Sequence, residues 1–148
     1  MMHATRFPAP LAGLLVMLAL PLAGLAQEPA AKTDKWHPVA KTDSQEAFVN
    51  PASLNVVEGV VEIRAKQNFV APQPAAKKGK TYLSTRAIYR FDCAQRKVAM
   101  KELRAYAGPD LQGDTVQKAK TGDKNLQWLD APESTVFGEL LDYACQAR

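Results

Sequence analysis

Two stretches of the sequence alternate almost strictly between apolar and polar side chains. In residues 60–70, VVEIRAKQNFV, the odd-numbered positions from 61 to 69 are apolar except for Gln67, and the even-numbered positions from 62 to 68 are polar. Residues 81–93, TYLSTRAIYRFDC, resume the alternation and place Cys93 on the apolar face at the end of the stretch. A period of two is the spacing of side chains on one face of a half-buried strand. We therefore predict two strands with one face against a core and the other in water.

Shorter segments before and between these strands are expected to extend or interrupt the sheet. SLNVV precedes a predicted turn at Glu58–Gly59, and EAFVN ends at Asn50–Pro51, where an Asn-Pro pair is typical of a turn. Pro72 and Pro74 are expected to end regular pairing in the loop APQPAAKKGK, because proline lacks a backbone donor.

The residues after Cys93 predict further strands. After a tight AQR connection, KVAMKELRAYAG is expected to return antiparallel. Its alternation changes phase between Met100 and Leu103, which predicts a bulge near Lys101–Glu102. DTVQKAK is expected to form a weaker strand, and LQWLDA a short strand that carries Trp128.

The apolar period changes near the C-terminus. In PESTVFGELLDYACQAR, Pro132 is suited to open a helical segment and Ser134 or Thr135 to cap it. Gly138 weakens such a helix by about 1 kcal/mol relative to alanine. The apolar stripe would consist of Phe137, Leu140, Leu141, Ala144 and Cys145. The sequence thus predicts an α+β fold, a meandering antiparallel β-sheet with a C-terminal α-helix packed on it.

The first 26 residues have the layout of a secretory signal peptide. Arg6 precedes an apolar run from Leu11 to Leu25, which is shorter than the roughly 20 residues of a membrane span and is followed by Ala26. We expect cleavage after Ala26, a flexible leader at 27–35 and one domain at 36–148, exported to the periplasm or the cell surface or secreted. An uncleaved membrane anchor is the alternative. No cysteine stands directly after the apolar run, so lipid attachment is not expected.

The expected compartment bears on the two cysteines. In an oxidising environment, an even number of thiols in a small domain favours a disulfide, here Cys93 to Cys145, with a stabilisation of roughly 4 kcal/mol from chain entropy. Free thiols are the alternative. A catalytic thiolate would need a neighbouring base, and His37 is the only histidine after the predicted cleavage site. One histidine and two distant cysteines are too few for a four-ligand zinc site, so we expect no metal and no cofactor.

Charge and side-chain chemistry argue against two functional classes. Removing the signal peptide takes away Arg6 and lowers the formal net charge from +4 to +3. The Lys and Arg positions are scattered along the chain, without the phosphate-tracking stripe of a nucleic-acid-binding protein. The mature sequence shows no converging acid, base and nucleophile, so we do not expect an enzyme.

The remaining candidates for a contact surface are basic side chains. A solvated loop, or a contact patch for acidic glycans or anionic lipid head groups, would be formed by Lys77, Lys78 and Lys80. Arg86 and Arg90 lie on the polar face of one predicted strand, and they either extend that patch or pair with Glu62 on the neighbouring strand.

Other conspicuous side chains are expected to be structural. Asp92 alternates outward and is expected to order the AQR turn. Four aromatic side chains are expected in the core rather than on a ligand platform, namely Trp36, Trp128, Tyr89 and Phe91.

Several of these features occur together in one known family. An early tryptophan, the FVNPASL step, the strand TYLSTRAIYRFDC followed by AQRKV, and a terminal helix closing on a cysteine resemble the bacterial surface-adhesin protein E-like domain family. The resemblance extends from Trp36 to Cys145 and includes the Tyr106–Gly108 end of a strand. Its most specific element is a core pattern formed by Ser84, Asp92, Cys93 and Arg96.

The resemblance implies a small exported domain with a mostly antiparallel sheet, a packed helix and a disulfide joining Cys93 to Cys145. It also implies adhesion to host extracellular-matrix or serum proteins. We therefore expect a non-enzymatic exported binding module that contacts a protein or glycan partner. The alternative is a periplasmic structural or envelope-stress protein with no extracellular ligand, whose contacts would be with other envelope components, since the chain lacks a lipidation cysteine.

Overall fold

The computed structural model describes residues 35–148, so the predicted signal peptide at 1–26 and the leader up to residue 34 lie outside the described residues. One antiparallel sheet has the strand order β1-β2-β3-β4-β5-β6, and β7 pairs with β5. The α-helix α1, Val136–Gln146, follows the last strand. The predicted α+β meander with a C-terminal helix is confirmed. The strands are β1 His37–Lys41, β2 Gln45–Val57, β3 Val60–Pro74, β4 Thr81–Asp92, β5 Lys97–Tyr106, β6 Thr115–Lys120 and β7 Leu129–Asp130.

The predicted turn at Glu58–Gly59 joins β2 to β3. Glu58 has a φ of 53° and Gly59 a φ of 82°. Two consecutive residues with positive φ are the signature of a type I′ turn, whose twist matches that of the flanking strands. This two-residue connection fixes the pairing register of the β2–β3 hairpin.

The predicted turn at Asn50–Pro51 is wrong, because β2 continues through it. The register between β2 and β3 shifts between Asn50 and Asn55. Hydrogen bonds from a side chain replace the backbone pairing that is missing there. Ser53 Oγ accepts a hydrogen bond from Arg64 N at 2.8 Å and donates one to Asn50 O at 2.7 Å. These side-chain bonds keep the irregular stretch attached to β3.

The expectation that Pro72 and Pro74 end the pairing is also wrong. After a shift in register beyond Asn68, pairing between β3 and β4 resumes with Gln73 opposite Tyr82 and Pro74 opposite Thr81. β2 pairs with β3 only as far as Phe69. One edge of β3 is therefore unpaired with β2 beyond this point, and prolines are accommodated on an open edge because no ladder bond is required of their nitrogen.

The predicted bulge in β5 is confirmed at Lys101. Ile88 of β4 pairs with Glu102 and Tyr89 pairs with Met100, so Lys101 is the extra residue. The insertion resets the alternation, which is why Val98 and Leu103 both pack against the core. The predicted strand LQWLDA is shorter than expected, since β7 contains only Leu129–Asp130.

The core lies between α1 and one face of the sheet. Phe91, Ile63, Leu140 and Leu141 are among its largest fully buried side chains, and Tyr89 is buried beside them. Three expectations are corrected here. Trp128 lies outside the core with 36% of its surface exposed, and Phe137 is 37% exposed at the start of α1, where it contacts the Tyr89 ring edge-on. Trp36 is half-buried and also lies outside the core, with its ring centre 5.7 Å from Lys66 Nζ.

The start of α1 is capped as predicted, by Thr135. Thr135 Oγ1 accepts a hydrogen bond from Gly138 N at 3.1 Å and donates one to Pro132 O at 2.7 Å. The chain before the helix thus folds back over its first turn. A Cβ atom on Gly138 would lie 2.1 Å from Pro132 O, so the glycine that weakens the isolated helix is required by this close approach.

The disulfide between Cys93 and Cys145 is present, with the Cα atoms 5.8 Å apart. Cys93 directly follows β4, and Cys145 lies in the last turn of α1. Both residues pack against the core. The covalent bond therefore holds the end of the helix on the end of a central strand.

Replacing Gly138 by alanine should destabilise the domain. The added methyl group would collide with the Pro132 carbonyl, and we expect a loss of about 1–3 kcal/mol in the free energy of unfolding, despite the higher helix propensity of alanine. Urea denaturation measures the difference. The matched control is Gly122→Ala, where a Cβ atom meets nothing within 4 Å. A Gly138→Ala variant as stable as the wild type would contradict the steric explanation.

Removing the disulfide should lower stability by about 4 kcal/mol, because the bond closes a loop between residues 52 positions apart. The double variant Cys93→Ser/Cys145→Ser and the reduced wild-type protein should unfold at the same urea concentration, well below that of the oxidised protein. Equal midpoints for the oxidised and reduced proteins would show that the bond does not contribute.

Candidate binding face of the sheet

The two faces of the sheet differ in what covers them. The helix packs on the face that carries Ile63, Tyr89 and Phe91. Because side chains alternate along a strand, the intervening residues point to the opposite face, which we call the charged face. An antiparallel sheet commonly has one face on the core and one in water.

Four basic side chains form a line across the charged face. The register places Lys66 of β3 opposite Arg86 of β4, Arg86 opposite Arg104 of β5, and Arg104 opposite Lys118 of β6. We call these four residues the basic row. Neighbouring strands are about 4.8 Å apart, so each charge is close to the next. Arg104 and Lys118 are exposed, whereas Arg86 is half-buried.

The Lys66 end of the basic row is closed. The Lys66 side chain is only 9% exposed, and its Nζ donates to Asp110 Oδ1 at 2.8 Å and lies 4.3 Å from the centre of the Phe48 ring. Asn68 Nδ2 donates to the same carboxylate oxygen at 2.7 Å. The hydrogen bonds from Lys66 and Asn68 hold the pKa of Asp110 below its usual range. This cation is therefore neutralised within the domain.

The loop between β5 and β6 brings Asp110 to this position. Ser84, which the alternation places on the polar side, is fully buried beneath the loop. Its Oγ donates to Gly108 O at 2.6 Å and accepts from Leu111 N at 2.9 Å. Asp110 N also donates to Asn68 Oδ1 at 3.0 Å. Ser84 is thus a structural anchor for the loop.

A second line of side chains runs beside the basic row. Arg64 lies opposite Ile88, Ile88 opposite Glu102, and Glu102 opposite Lys120. Lys120 Nζ and Glu102 Oε1 form an ion pair at 2.9 Å. The basic row and this line together carry six basic side chains, and the carboxylates of Glu102 and Asp110 lie among them.

Further along the charged face, four charged side chains neutralise one another. Glu62 Oε2 accepts from Arg90 Nε at 2.9 Å and from Lys101 Nζ at 3.0 Å. Asp123 lies 3.3 Å from Arg90 Nη2. Burial acts to raise the pKa of Glu62, but the hydrogen bonds and charges of Arg90 and Lys101 outweigh it, and the pKa lies below its usual value. Arg90 therefore belongs to a structural network.

The two predicted pairings with Glu62 have different outcomes. The pairing is confirmed for Arg90. Arg86 does not stand opposite Glu62 but four residues away along β4, opposite Lys66. Arg86 is thus part of the basic row.

The predicted lysine loop lies on the other side of the sheet. Ala76 N, just before Lys77, donates to Gln117 Oε1 at 2.8 Å. Gln117 pairs with Ala105, on the face opposite to that of Arg104 and Lys118. Lys77, Lys78 and Lys80 are exposed. The structure therefore does not bring the lysine loop together with Arg86 and Arg90.

Asp92 and His37 both have partners within the fold. Asp92 Oδ1 accepts from Ala94 N at 3.0 Å and Gln95 N at 2.9 Å, so it orders the turn as predicted. The His37 ring packs 5.4 Å from that of Tyr143. Within residues 35–148, no group of three or more His, Cys, Asp or Glu side chains could hold a metal ion.

A model of the surface-adhesin protein E family matches residues 36–146, which include every strand of the sheet and both cysteines. The chain belongs to this family. Similar solved structures are two of Haemophilus influenzae protein E, one of them of crystal form II, each 15% identical in sequence over 80% of this chain. The matched regions cover 89% and 92% of the two protein E chains, with TM-scores of 0.52 and 0.55. A comparison with curated proteins finds no significant match.

In this member of the adhesin family, sequence reasoning missed Arg64, Arg104 and Lys118 as part of the same surface as Arg86. The three residues lie on different strands, and only the pairing register aligns them. The predicted bulge at Lys101 could have supplied this signal. It shifts the alternation of β5 by one residue and so places Arg104 on the charged face.

The described part of this family member also contains an apolar cavity of about 360 Å³ on the helix side. Its walls include Tyr89, Val98, Met100 and Phe137, and Thr121 and Gln127 contribute polar groups. The incomplete burial of Phe137 at the start of α1 leaves this space open.

Among residues 35–148, no helix is long and apolar enough to cross a membrane.

Acid should destabilise the domain in part through Glu62. Because its folded pKa is lower than its ordinary value of 4.5, the charged carboxylate contributes stability above about pH 4.5, and this contribution is lost as the pH falls through the folded pKa. Glu62→Gln should therefore lower the free energy of unfolding by about 1–3 kcal/mol at neutral pH, and the deficit should shrink as the pH falls.

Urea denaturation across this pH range measures the effect. The matched control is Glu46→Gln, since Glu46 is 39% exposed and pairs with an exposed lysine. A deficit for Glu62→Gln that does not depend on pH would contradict the assignment.

Proposed function

We propose that this protein is an exported binding module without catalytic activity, and that it contacts a protein or glycan partner through the charged face of its sheet. The observation that carries the proposal is the basic row, three of whose members, Arg86, Arg104 and Lys118, lie on adjacent strands of one face. Membership of a surface-adhesin family supports a binding function. Export is supported by the signal-peptide pattern of residues 1–26.

The charged face is a better candidate than the lysine loop for a physical reason. Lys77, Lys78 and Lys80 lie in a connection with a turn at Gly79, where each flexible side chain must be ordered when a partner binds. Arg86 and Arg104 project from paired strands at the centre of the sheet, where the backbone is fixed. Side chains on a rigid element lose less conformational freedom on binding.

Retention on basement-membrane matrix tests which surface binds. The double variant Arg104→Thr/Lys118→Thr removes two charges from the basic row. Threonine is the replacement because it favours strands. We expect it to lose most of the retention of the wild-type domain. The matched control Lys77→Thr/Lys78→Thr removes the same charge from the opposite side and should retain binding. Loss of retention in the control variant alone would show that the lysine loop is the contact surface.

Location in the cell tests the exported binding role itself. In the bacterium that makes the protein, antibody labelling of intact cells and fractionation should detect the domain at the cell surface or in the medium. Protein confined to the periplasm, together with no retention of the wild type on matrix, would instead support a structural or envelope-stress role without an extracellular ligand.

A further inference from the structure

We propose that the basic row binds a linear sulfated polysaccharide, with sulfate groups contacting Arg86, Arg104 and Lys118. The inference rests on the proposed function and names the chemistry of the ligand. Its starting point is the alignment of like charges across β3, β4, β5 and β6.

Folding alone gives no reason for the exposed end of this row, where Arg104 and Lys118 lie side by side. Like charges directly opposite each other on neighbouring strands destabilise a sheet. Lysines on an edge strand discourage pairing with other molecules, which would account for Lys118 on β6. The same explanation does not apply to Arg104, because β5 has a paired strand on both sides. A ligand that neutralises the exposed charges of Arg104 and Lys118 accounts for both.

The shape of the surface fits an extended anionic chain. The row crosses four strands in a line of about 14 Å. It is closed at one end, where Asp110 and the loop that carries it cover Lys66. The other end reaches the edge strand β6, and a shallow depression of about 390 Å³ lies there, lined by Arg104, Lys118 and Lys120 together with Glu102. A chain can therefore lie in the depression and continue past the edge of the sheet.

The side-chain types favour sulfate groups on a sugar chain. Guanidinium groups present a planar fork of donors that binds two oxygens of one tetrahedral anion. Nucleic acid would call for aromatic platforms on which bases stack, but the Lys66 ammonium group lies over both rings beside the row, 4.3 Å from the centre of Phe48 and 5.7 Å from that of Trp36. A membrane surface would call for exposed large apolar side chains among the cations, and Ile88, which lies among them, is half-buried.

Glu102 provides a variant that should strengthen binding. Its carboxylate lies in a shallow depression with Arg64, Arg86 and Arg104, where it repels an approaching anion. Glu102→Gln removes that charge at nearly constant volume. A site for anions should therefore bind the sulfated chain several-fold more tightly in this variant.

Calorimetry with heparin as the probe tests the site on the full mature protein. We expect wild-type binding that weakens with salt, a loss of roughly tenfold or more in Arg104→Thr/Lys118→Thr, and a decrease of about 2 in the slope of log affinity against log salt. Lys77→Thr/Lys78→Thr should bind as the wild type does. Circular dichroism and thermal unfolding establish that each variant is folded.

Three outcomes would overturn the inference. The first is a similar loss in both double variants, which would show attraction to net charge alone. The second is equal binding of chemically desulfated heparin, and the third is equally tight binding of duplex DNA or anionic lipid vesicles through the same residues.

Heparinase treatment of the matrix separates this inference from the proposed function. If the row variant loses retention but heparinase treatment leaves wild-type retention unchanged, the charged face binds a protein partner and the glycan assignment fails. If the wild type is not retained on untreated matrix, the proposed function fails, whatever heparin does in solution.

Discussion

The packing of α1 on one face of the sheet, held by the Cys93–Cys145 bond, constrains the remaining structure. The 11-residue helix buries Leu140 and Leu141 against β1 to β5 on one side only. A slip of one residue in the pairing of β3 with β4 would exchange the buried face for the charged one. If β3 slipped, Arg64 would enter the core and Ile63 would be exposed. Burial of one face therefore fixes the register.

The same register determines where the charges meet. Once Ile63 and Tyr89 are opposite each other in the core, Lys66 must stand opposite Arg86 on the other face. Like-charge pairs of this kind oppose folding by roughly 0.2–1 kcal/mol each. Asp110 offsets the charge at the Lys66 end, and Glu102 pairs with Lys120 beside the row. The positive potential is left where the exposed Arg104 and Lys118 lie.

Local sequence patterns predicted most of the fold, and they failed where distant residues decide the outcome. The strands around Ile63 and Phe91, the bulge at Lys101 and the Thr135 cap follow from alternation and capping chemistry within a few residues. The turn expected at Asn50–Pro51 does not interrupt β2, whose irregular stretch is held to the next strand by the bond between Ser53 and Arg64 N. Ser84 is buried rather than exposed, because the loop carrying Gly108 and Leu111 folds over it.

The sequence by itself determined the class of fold and the identity of the two bonded cysteines, because these depend on periodicity and on the number of cysteines in an exported domain. Only the tertiary structure decided which basic residues share a surface. It separated the lysine loop from Arg86 and joined Arg86 with Arg104 and Lys118, since neighbours across a sheet are set by pairing between strands that are distant in the chain. It also showed why Gly138 is needed, because the Pro132 carbonyl approaches the helix from outside it.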